Sequence, residues 1–440
     1  MRRAGWKKTL TLLGDDFVRK IGKNFGIVFC GNSASAVLGL VSFTLMARAL
    51  GPELLAYFAL SQAYVRIIND IFNVQTWESM LKFGAGETGS KKLASLVKTN
   101  LVLDLVSAWI AFGFSLLMLQ GVASYLGWTD ALVTVAEVYI WVIPFTLTTL
   151  TIGVPRWCDR FFLIAKIQFG VAIIKVVLIS VLFFIDSSVN TFVAFYVLAE
   201  VILNCKLIFF SVRLLNEKLG RRWWHSTLQL DLQQLTFLWW TNLRTIVRIP
   251  VRHLDVVLIN LVMSVQAVGI YKVYKELIEI INRFGDPLNQ TLYPEYARII
   301  GRGQSDQAVH GTRRLMLLLS LLCVVIVVGL LLASKPVLTL FFGEEYLTLL
   351  PALYALIVLA GISLFLTPVN SLFIAAGFAR YSFYLVLVSN LIYLLVAYMA
   401  GQLYGIYGVV GAFALQIAIN KGAKLLLLKR HTTGWADTVR

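Results

Sequence analysis

Charged residues are scarce in this chain of 440 residues, of which only 14% are Asp, Glu, Lys or Arg while 59% are hydrophobic. Soluble domains carry about 25% charged residues. The composition therefore excludes an ordinary soluble protein and predicts a polytopic membrane protein. The loops predicted on the outer side are short, so they leave no room for a folded catalytic domain outside the membrane.

Residues and motifs typical of enzymes and metal sites are also sparse. The four cysteines have no metal or redox spacing, so we expect small core residues and no metal ligands. Only four histidines occur, and no Gly-rich phosphate loop is followed by a lysine, so ATP hydrolysis is not expected. No cleaved signal peptide is predicted. We therefore expect a protein that is not an enzyme and needs no cofactor.

Positive charge exceeds negative charge, giving a formal net charge of +16. In a soluble protein this would suggest a nucleic-acid partner. In a membrane protein it is explained by cytoplasmic loops enriched in Lys and Arg, and we predict no nucleic-acid binding. The loops predicted to be cytoplasmic hold most of the loop cations, whereas the opposite side holds only Arg48 and Lys335. Both termini are therefore predicted to be cytoplasmic.

Long apolar runs fill most of the chain, and a membrane-spanning helix needs about 20 such residues. Twelve spans are predicted, near 24–47, 54–80, 93–118, 132–154, 161–185, 191–211, 233–262, 267–290, 315–334, 347–376, 381–401 and 406–428. The predicted organisation is a cytoplasmic N-terminal interfacial segment 1–22, an N-lobe 23–215 (first six spans), a cytoplasmic inter-lobe linker 216–232, a C-lobe 233–430 (last six spans) and a cytoplasmic tail 431–440.

Weak internal similarity indicates that the two sets of six spans are repeats. Ile67-Ile68-Asn69 matches Ile280-Ile281-Asn282, and Lys206 matches Lys424 at a similar offset. The predicted fold class is thus an all-α polytopic membrane protein with about 12 transmembrane helices, arranged in two pseudo-symmetric six-helix lobes around a central cavity.

The stretch from Thr241 to Asp286 concentrates charge where the rest of the chain is apolar. Arg244, Arg248 and Arg252 are spaced at i, i+4 and i+8, so they share one face of a helix. Charges at membrane depth are costly and usually face a protein interior or a water-filled cavity. We predict a cationic cavity that accepts an anionic ligand. The alternative is a structural network of these arginines with Asp255 and the acids of the next helix.

Other charged residues within the predicted spans extend this set. The candidate substrate-binding residues are Arg244, Arg248, Arg252, Arg66, Lys272 and Arg283, and the candidate ion-coupling acids for Na⁺ or H⁺ are Asp70, Glu78, Asp255, Glu276 and Glu279. Pro250 is a candidate hinge because it lacks a backbone donor. A self-contained Arg66–Asp70 pair is an equal alternative. Lys98 and Asp104 are expected mainly to snorkel or to pair.

Several short strings carry a resemblance to a known family. They are Arg48-Ala49-Leu50-Gly51-Pro52-Glu53, Val268-Gly269-Ile270-Tyr271, Pro294-Glu295-Tyr296, Phe341-Phe342-Gly343-Glu344-Glu345-Tyr346 and Gly405-Ile406-Tyr407-Gly408. In this order they resemble the Wzx-type polysaccharide flippases of the multidrug/oligosaccharidyl-lipid/polysaccharide exporter superfamily.

The resemblance implies an alternating-access transporter of the bacterial inner membrane. Its substrate would be an oligosaccharide repeat unit on undecaprenyl pyrophosphate, such as an O-antigen unit of lipopolysaccharide, moved from the cytoplasmic to the periplasmic leaflet. Membrane lipids and glycan polymerase or assembly proteins would be its partners. Two alternatives stay open. One is a multidrug exporter coupled to Na⁺ or H⁺, which should have a more acidic and apolar cavity. The other is a membrane glycan polymerase or ligase, which should need a large outer loop.

Overall fold

The computed structural model describes residues 2–85, 89–185 and 187–438, with side chains over 34–85, 89–185, 187–285, 288–289 and 291–429. The described residues form helices and contain no strand, which confirms the predicted all-α class. The predicted interfacial segment 1–22 and tail 431–440 lie outside the residues whose side chains are described. Two compact units divide the chain: the first consists of residues 34–272, and the second consists of the residues before Ala34 together with those from Val273 onward.

The first unit contains the longer series of helices and most of the helix interruptions. Its elements are α1 (Arg2–Phe72) from Ala34 onward, α2 (Thr76–Gly84), α3 (Ser90–Leu126), α4 (Asp130–Ile140), α5 (Val154–Trp157), α6 (Phe161–Ile185), α7 (Val189–Leu219), α8 (Leu232–Ile246), α9 (Asp255–Val262) and the start of α10 (Val265–Gly301). Segments Thr149–Gly153 and Pro250–Leu254 are π-helical, and Ile143–Phe145 and Trp223–His225 are single 3-10 turns.

The second unit continues from α10 and contains the remaining helices. They are α11 (Ser305–Val337), α12 (Leu350–Phe365), α13 (Thr367–Ala375), α14 (Ala379–Tyr404) and α15 (Ile406–Thr438), with a π-helical segment Leu338–Phe342 and a 3-10 turn Glu344–Leu347 after α11. The unit boundary falls inside α10. The predicted lobe boundary in the 216–232 loop stays a prediction.

Eight helices in the described part of the chain are long and apolar enough to cross a membrane, or nine if the bent pair Asp130–Phe145 and Thr149–Trp157 is one span. One of the eight, Ala34–Phe72, bends at Gly51 and so covers two predicted spans. The predicted seventh span is broken into α8 and α9, and the predicted eighth, α10, carries many charges. A multi-pass membrane protein is confirmed, whereas the count of twelve stays a prediction.

Polar side chains cap the N-termini of several helices, directly after the preceding loop. Thr129 accepts a hydrogen bond from the backbone N–H of Leu132 at the start of α4, and Ser188 and Asp231 cap α7 and α8 in the same way. Such caps satisfy backbone donors that have no partner within the helix. These starts are therefore fixed by local sequence.

The loop 220–231 packs along α3 and is not an isolated connection. Ser95 Oγ donates to the carbonyl of Thr227 at 2.7 Å, and Lys98 Nζ donates to the carbonyl of Ser226 at 2.7 Å. Gln234 at the start of α8 donates to Asn100 at 2.8 Å. Lys98 therefore donates to a backbone carbonyl of this loop, whereas we expected it to snorkel or to form an ion pair.

The bend in α1 brings together two of the strings that resemble the flippase family. Gly51 has φ 67°, a left-handed conformation that glycine adopts at no steric cost, and Pro52 restarts the helix. A Cβ on Gly269 would lie 1.7 Å from the carbonyl oxygen of Pro52. Glycine at position 269 is thus required for the close approach of α10 to the start of the second half of α1.

Two further strings each contribute a buried tyrosine, Tyr346 and Tyr296, to the second unit. The hydroxyl of Tyr274 donates to the carbonyl of Tyr346 at 2.7 Å, and both rings are buried. Tyr296 is fully buried among Leu288, Leu292 and Leu315, and its hydroxyl oxygen accepts a hydrogen bond from the neighbouring Thr312 at 2.8 Å. These aromatic residues of the strings therefore serve packing inside the unit.

Because the contact at Gly269 leaves no room for a side chain, even the change from glycine to alanine should lower the stability of the protein. Gly269→Ala should force α10 away from Pro52 and lower the apparent melting temperature of the detergent-solubilised protein by about 5 °C or more, since overpacking costs roughly 1–3 kcal/mol. Gly113→Ala in α3 is the control, because a Cβ there meets nothing within 4 Å. Equal melting temperatures for the two variants would contradict the required close approach.

Candidate functional site

A cavity of about 490 Å³ lies within the unit of residues 34–272. Its volume falls in the usual range for small-molecule sites, roughly 300–1,000 Å³. Its walls carry four arginines and three carboxylates, which are Arg66, Arg244, Arg248, Arg252, Asp70, Glu78 and Glu200. Uncharged amides and hydroxyls fill much of the remaining wall. The cavity is therefore strongly polar, although most helices around it are apolar.

Three of these arginines come from the interrupted helix after the 220–231 loop. Arg244 lies in α8, Arg248 lies between α8 and the π-helical segment, and Arg252 lies within that segment. All three line the cavity despite the interruption. Pro250 is the first residue of the π-helical segment, where its missing N–H leaves one less helical bond to satisfy. Its role as a hinge stays a prediction.

The carboxylates of the cavity face basic groups from other helices. Arg66 of α1 makes an ion pair with Glu200 of α7, in which Arg66 Nη2 lies 3.0 and 2.9 Å from the two carboxylate oxygens. Arg244 pairs with Glu78 of α2. His253 Nε2 lies 3.4 Å from a carboxylate oxygen of Asp70. Arg66 thus pairs across helices, not with its neighbour Asp70, and the cavity has mixed charge with a cationic excess.

A chain of hydrogen bonds leads from the Arg66–Glu200 pair to Lys272. The Tyr139 hydroxyl donates to Glu200 at 3.2 Å and accepts from Gln62 Nε2 at 2.9 Å. Lys272 Nζ donates to Gln62 Oε1 at 2.8 Å. Lys272 therefore does not line the cavity but is connected to it through two neutral side chains.

The other predicted site residues are not among those that line this cavity. Asp255 is buried and accepts hydrogen bonds from the Tyr271 hydroxyl at 2.7 Å and from the Val256 N–H at 2.9 Å, so it joins α9 to α10. Arg283, Glu276 and Glu279 belong to the second unit. Substrate binding by Arg283 and Lys272, and ion coupling by Asp255, Glu276 and Glu279, stay predictions.

Asp104 is a structural centre of the site that sequence reasoning set aside. It is 2% exposed in α3 and accepts hydrogen bonds from Thr76 Oγ1 at 2.5 Å, Thr149 N at 2.6 Å and Thr148 Oγ1 at 3.2 Å. Thr76 begins α2 and Thr149 begins a π-helical segment, so one carboxylate holds two helix interruptions beside the cavity. Within the described residues it forms no ion pair. Two features of the sequence could have indicated this site: an acidic residue deep in the apolar run of α3, and a threonine-rich run at 146–151.

Comparison with known proteins finds one matching family and a related inner membrane protein. A family model described as Polysaccharide biosynthesis protein matches residues 93–351. The chain is 24% identical to inner membrane protein YghQ of Escherichia coli (strain K12) over 344 residues, which cover 76% of this chain and 95% of that protein.

Solved structures show the same fold at low sequence identity. An inward-facing multidrug resistance MATE family transporter of the MOP superfamily has a TM-score of 0.73 at 14% identity, covering 92% of this chain and 96% of that one. The lipid II flippase MurJ in its inward closed conformation has a TM-score of 0.66 at 15% identity, covering 92% of this chain and 87% of that one.

The position of Asp104 predicts that its charge supports the cavity wall. Asp104→Asn should place an amide donor against the Thr149 N–H or the threonine hydroxyls, because an amide has one acceptor oxygen where the carboxylate has two. A lost charge-assisted hydrogen bond costs roughly 1.5–3 kcal/mol, so the apparent melting temperature should fall by several degrees. Asp130→Asn at the exposed start of α4 is the control. Unchanged stability of Asp104→Asn would show that the carboxylate does not hold the two interruptions.

The Arg66–Glu200 pair predicts a characteristic order among three variants. Glu200→Gln and Arg66→Gln should each lower stability, because each leaves one uncompensated charge, whereas the double variant should recover part of the loss. A double-mutant cycle, in which the apparent melting temperature of each variant is measured in detergent, gives this coupling. Additive losses would mean that the two side chains do not support each other.

Proposed function

The chain belongs to the polysaccharide biosynthesis protein family, and we propose that it flips undecaprenyl-pyrophosphate-linked oligosaccharide repeat units from the cytoplasmic to the periplasmic leaflet of a bacterial inner membrane. The proposal describes a transporter working by alternating access, and not an enzyme. The observation that carries it is a polar cavity with an excess of arginine inside a fold shared with transporters and a lipid flippase.

The chemistry of the cavity suits the anionic part of such a substrate. A pyrophosphate needs neutralising partners in a site with a low dielectric constant, and guanidinium groups bind phosphate oxygens bidentately and stay charged. Arg248 and Arg252 are our main candidates, because both line the cavity from an interrupted part of the helix. Backbone at such an interruption can rearrange more easily than a regular helix.

The predicted orientation would place this cavity toward the side where the substrate is made. With both termini cytoplasmic, the Gly51 bend lies at the outer end of α1, and α1 then returns inward for roughly 30 Å before it ends at Phe72. That length is about the thickness of the hydrocarbon core. The cavity residues near the end of α1 would therefore receive a ligand from the cytoplasmic leaflet.

Ion coupling is the second part of the proposal. Asp70 and Glu78 line the cavity, so protonation or Na⁺ binding there would change the charge that faces the arginines. A glycan polymerase or assembly protein would receive the flipped product on the other side of the membrane.

A Na⁺- or H⁺-coupled multidrug exporter is the alternative, supported by the likeness to MATE transporters, which shows the fold alone. A cavity for cationic drugs should carry an excess of acids, whereas this one carries four arginines against three carboxylates. A glycan polymerase or ligase is a weaker candidate, because the predicted outer loops are short.

Removal of two of the four cavity arginines, Arg248 and Arg252, should strongly reduce export. Arg248→Ala/Arg252→Ala, expressed in a host that lacks its own flippase but assembles the lipid-linked unit, should lower surface polysaccharide by about 10-fold to 100-fold or more, since each charge-assisted bond contributes roughly 1.5–3 kcal/mol. The double variant Arg248→Lys/Arg252→Lys should restore only part of the surface polysaccharide, because a lysine cannot bind a phosphate group bidentately.

The control is Arg213→Ala, which removes an exposed arginine of α7. Membrane levels of every variant are measured by immunoblot. Normal surface polymer in a well-expressed Arg248→Ala/Arg252→Ala strain would contradict the proposal. If the wild-type protein instead protected a drug-sensitive host and did not restore surface polymer, the multidrug alternative would replace it.

A further inference from the structure

The interruption between α1 and α2 has an unusual backbone at the cavity wall. α1 ends at Phe72, α2 begins at Thr76, and Gln75 between them has φ 53° and ψ 41°. Residues other than glycine seldom adopt this left-handed conformation, and strained backbone is concentrated at functional sites. Asn73, Gln75 and Trp77 from this short interruption all line the cavity.

Two amide side chains of the interruption use their oxygens to build it. Asn73 Oδ1 accepts from the N–H of Gln75 at 3.0 Å. Gln75 Oε1 accepts from Trp77 Nε1 at 3.0 Å. These bonds fix each amide so that its oxygen is engaged within the protein.

The nitrogen ends of the same amides are left for a ligand. Among the described residues, the N–H₂ groups of Asn73 and Gln75 have no hydrogen-bond partner, and both side chains line the cavity. Asn73 as a whole is 8% exposed, so its N–H₂ group reaches the cavity from a largely buried side chain. The two amides therefore form a pair of uncharged donors, which we call the amide row.

The amide row differs in chemistry from the arginines of the same cavity. Arginines favour phosphate oxygens, whereas neutral amide donors suit neutral acceptors such as hydroxyl and carbonyl oxygens. The two sets come from different segments, the amide row from the α1–α2 interruption and Arg248 and Arg252 from the α8–α9 interruption. A ligand that matches both sets has a neutral part rich in oxygen joined to an anionic part.

We propose that the amide row is a sugar subsite, in which Asn73 and Gln75 donate hydrogen bonds to hydroxyl or acetamido oxygens of the sugar attached to the pyrophosphate. The subsite rests on the proposed function and adds to it the residues that select the glycan. A site built to hydrogen-bond a hydroxyl rejects analogues that lack it, because its buried donors are then unpaired. The amide row therefore determines specificity, while the arginines supply affinity common to all pyrophosphate-linked units.

The test replaces donors without removing the bonds that build the interruption. Asn73→Asp and Gln75→Glu keep the accepting oxygen of each side chain but turn its N–H₂ donor into an acceptor. Asn204→Asp is the matched control, since Asn204 lines the same cavity from α7 and gains the same charge. A conserved gel-filtration profile shows that each variant is folded.

Binding is measured with defined probes on the purified full-length protein in nanodiscs. The probes are undecaprenyl pyrophosphate alone and the same lipid carrying one glucose, galactose or N-acetylglucosamine. The wild type should bind at least one glycosylated probe more tightly than the bare lipid. Each amide-row variant should reduce that preference about 10-fold, beyond any change in Asn204→Asp, whereas Arg248→Ala should weaken all probes by a similar factor.

The outcomes separate the subsite from the proposed function. An unchanged preference in the amide-row variants, or no preference in the wild type for any glycosylated probe, would overturn the subsite while arginine-dependent binding of the bare lipid still supported the proposed function. An equal effect of Asn204→Asp would assign the loss to added charge and would also overturn the subsite. Failure of the wild type to bind any probe would overturn both proposals.

Discussion

The cost of charge inside an apolar chain governs the structure around the cavity. A carboxylate or guanidinium at membrane depth must meet an opposite charge, hydrogen-bond donors or water. Glu200 meets Arg66, Glu78 meets Arg244, and Asp104 meets two hydroxyls and a backbone N–H. Each of these contacts joins two or more helices. The polar contacts therefore fix the helices of this unit where apolar packing alone would allow sliding.

Helix interruptions are the second common feature of the site. Irregular backbone at membrane depth is tolerated where it is buried in protein or lines a water-filled cavity. Here α1 stops before α2, α8 gives way to a π-helical segment, and Thr149 begins another such segment, all within the unit that contains the cavity. The same interruptions supply amide side chains and arginines to the cavity wall. Irregular backbone and polar cavity residues therefore occur in the same segments of the chain.

The sequence predicted some of this site and missed other parts for identifiable reasons. A period of four residues was enough to place Arg244, Arg248 and Arg252 on one side, because helical geometry survives a short π-helical segment. The partner of Arg66 could not be predicted, since Glu200 is far away in the chain and the local pattern favoured Asp70. Asp104 was undervalued because its partners are threonines, which carry no charge pattern. Gln75 gave no signal, as its left-handed backbone follows from the surrounding helices.

The sequence by itself determined that the chain is an all-helical, multi-pass membrane protein, because low charge and long apolar runs leave no other stable arrangement in lipid. Short strings such as those around Gly51 and Gly269 also indicated the family. Only the tertiary structure decided which charges share a cavity, which are paired, and that α8 and α9 pack with the first unit. The physical reason is that periodicity acts within one helix, whereas ion pairs, buried caps and cavities depend on contacts between helices distant in the chain.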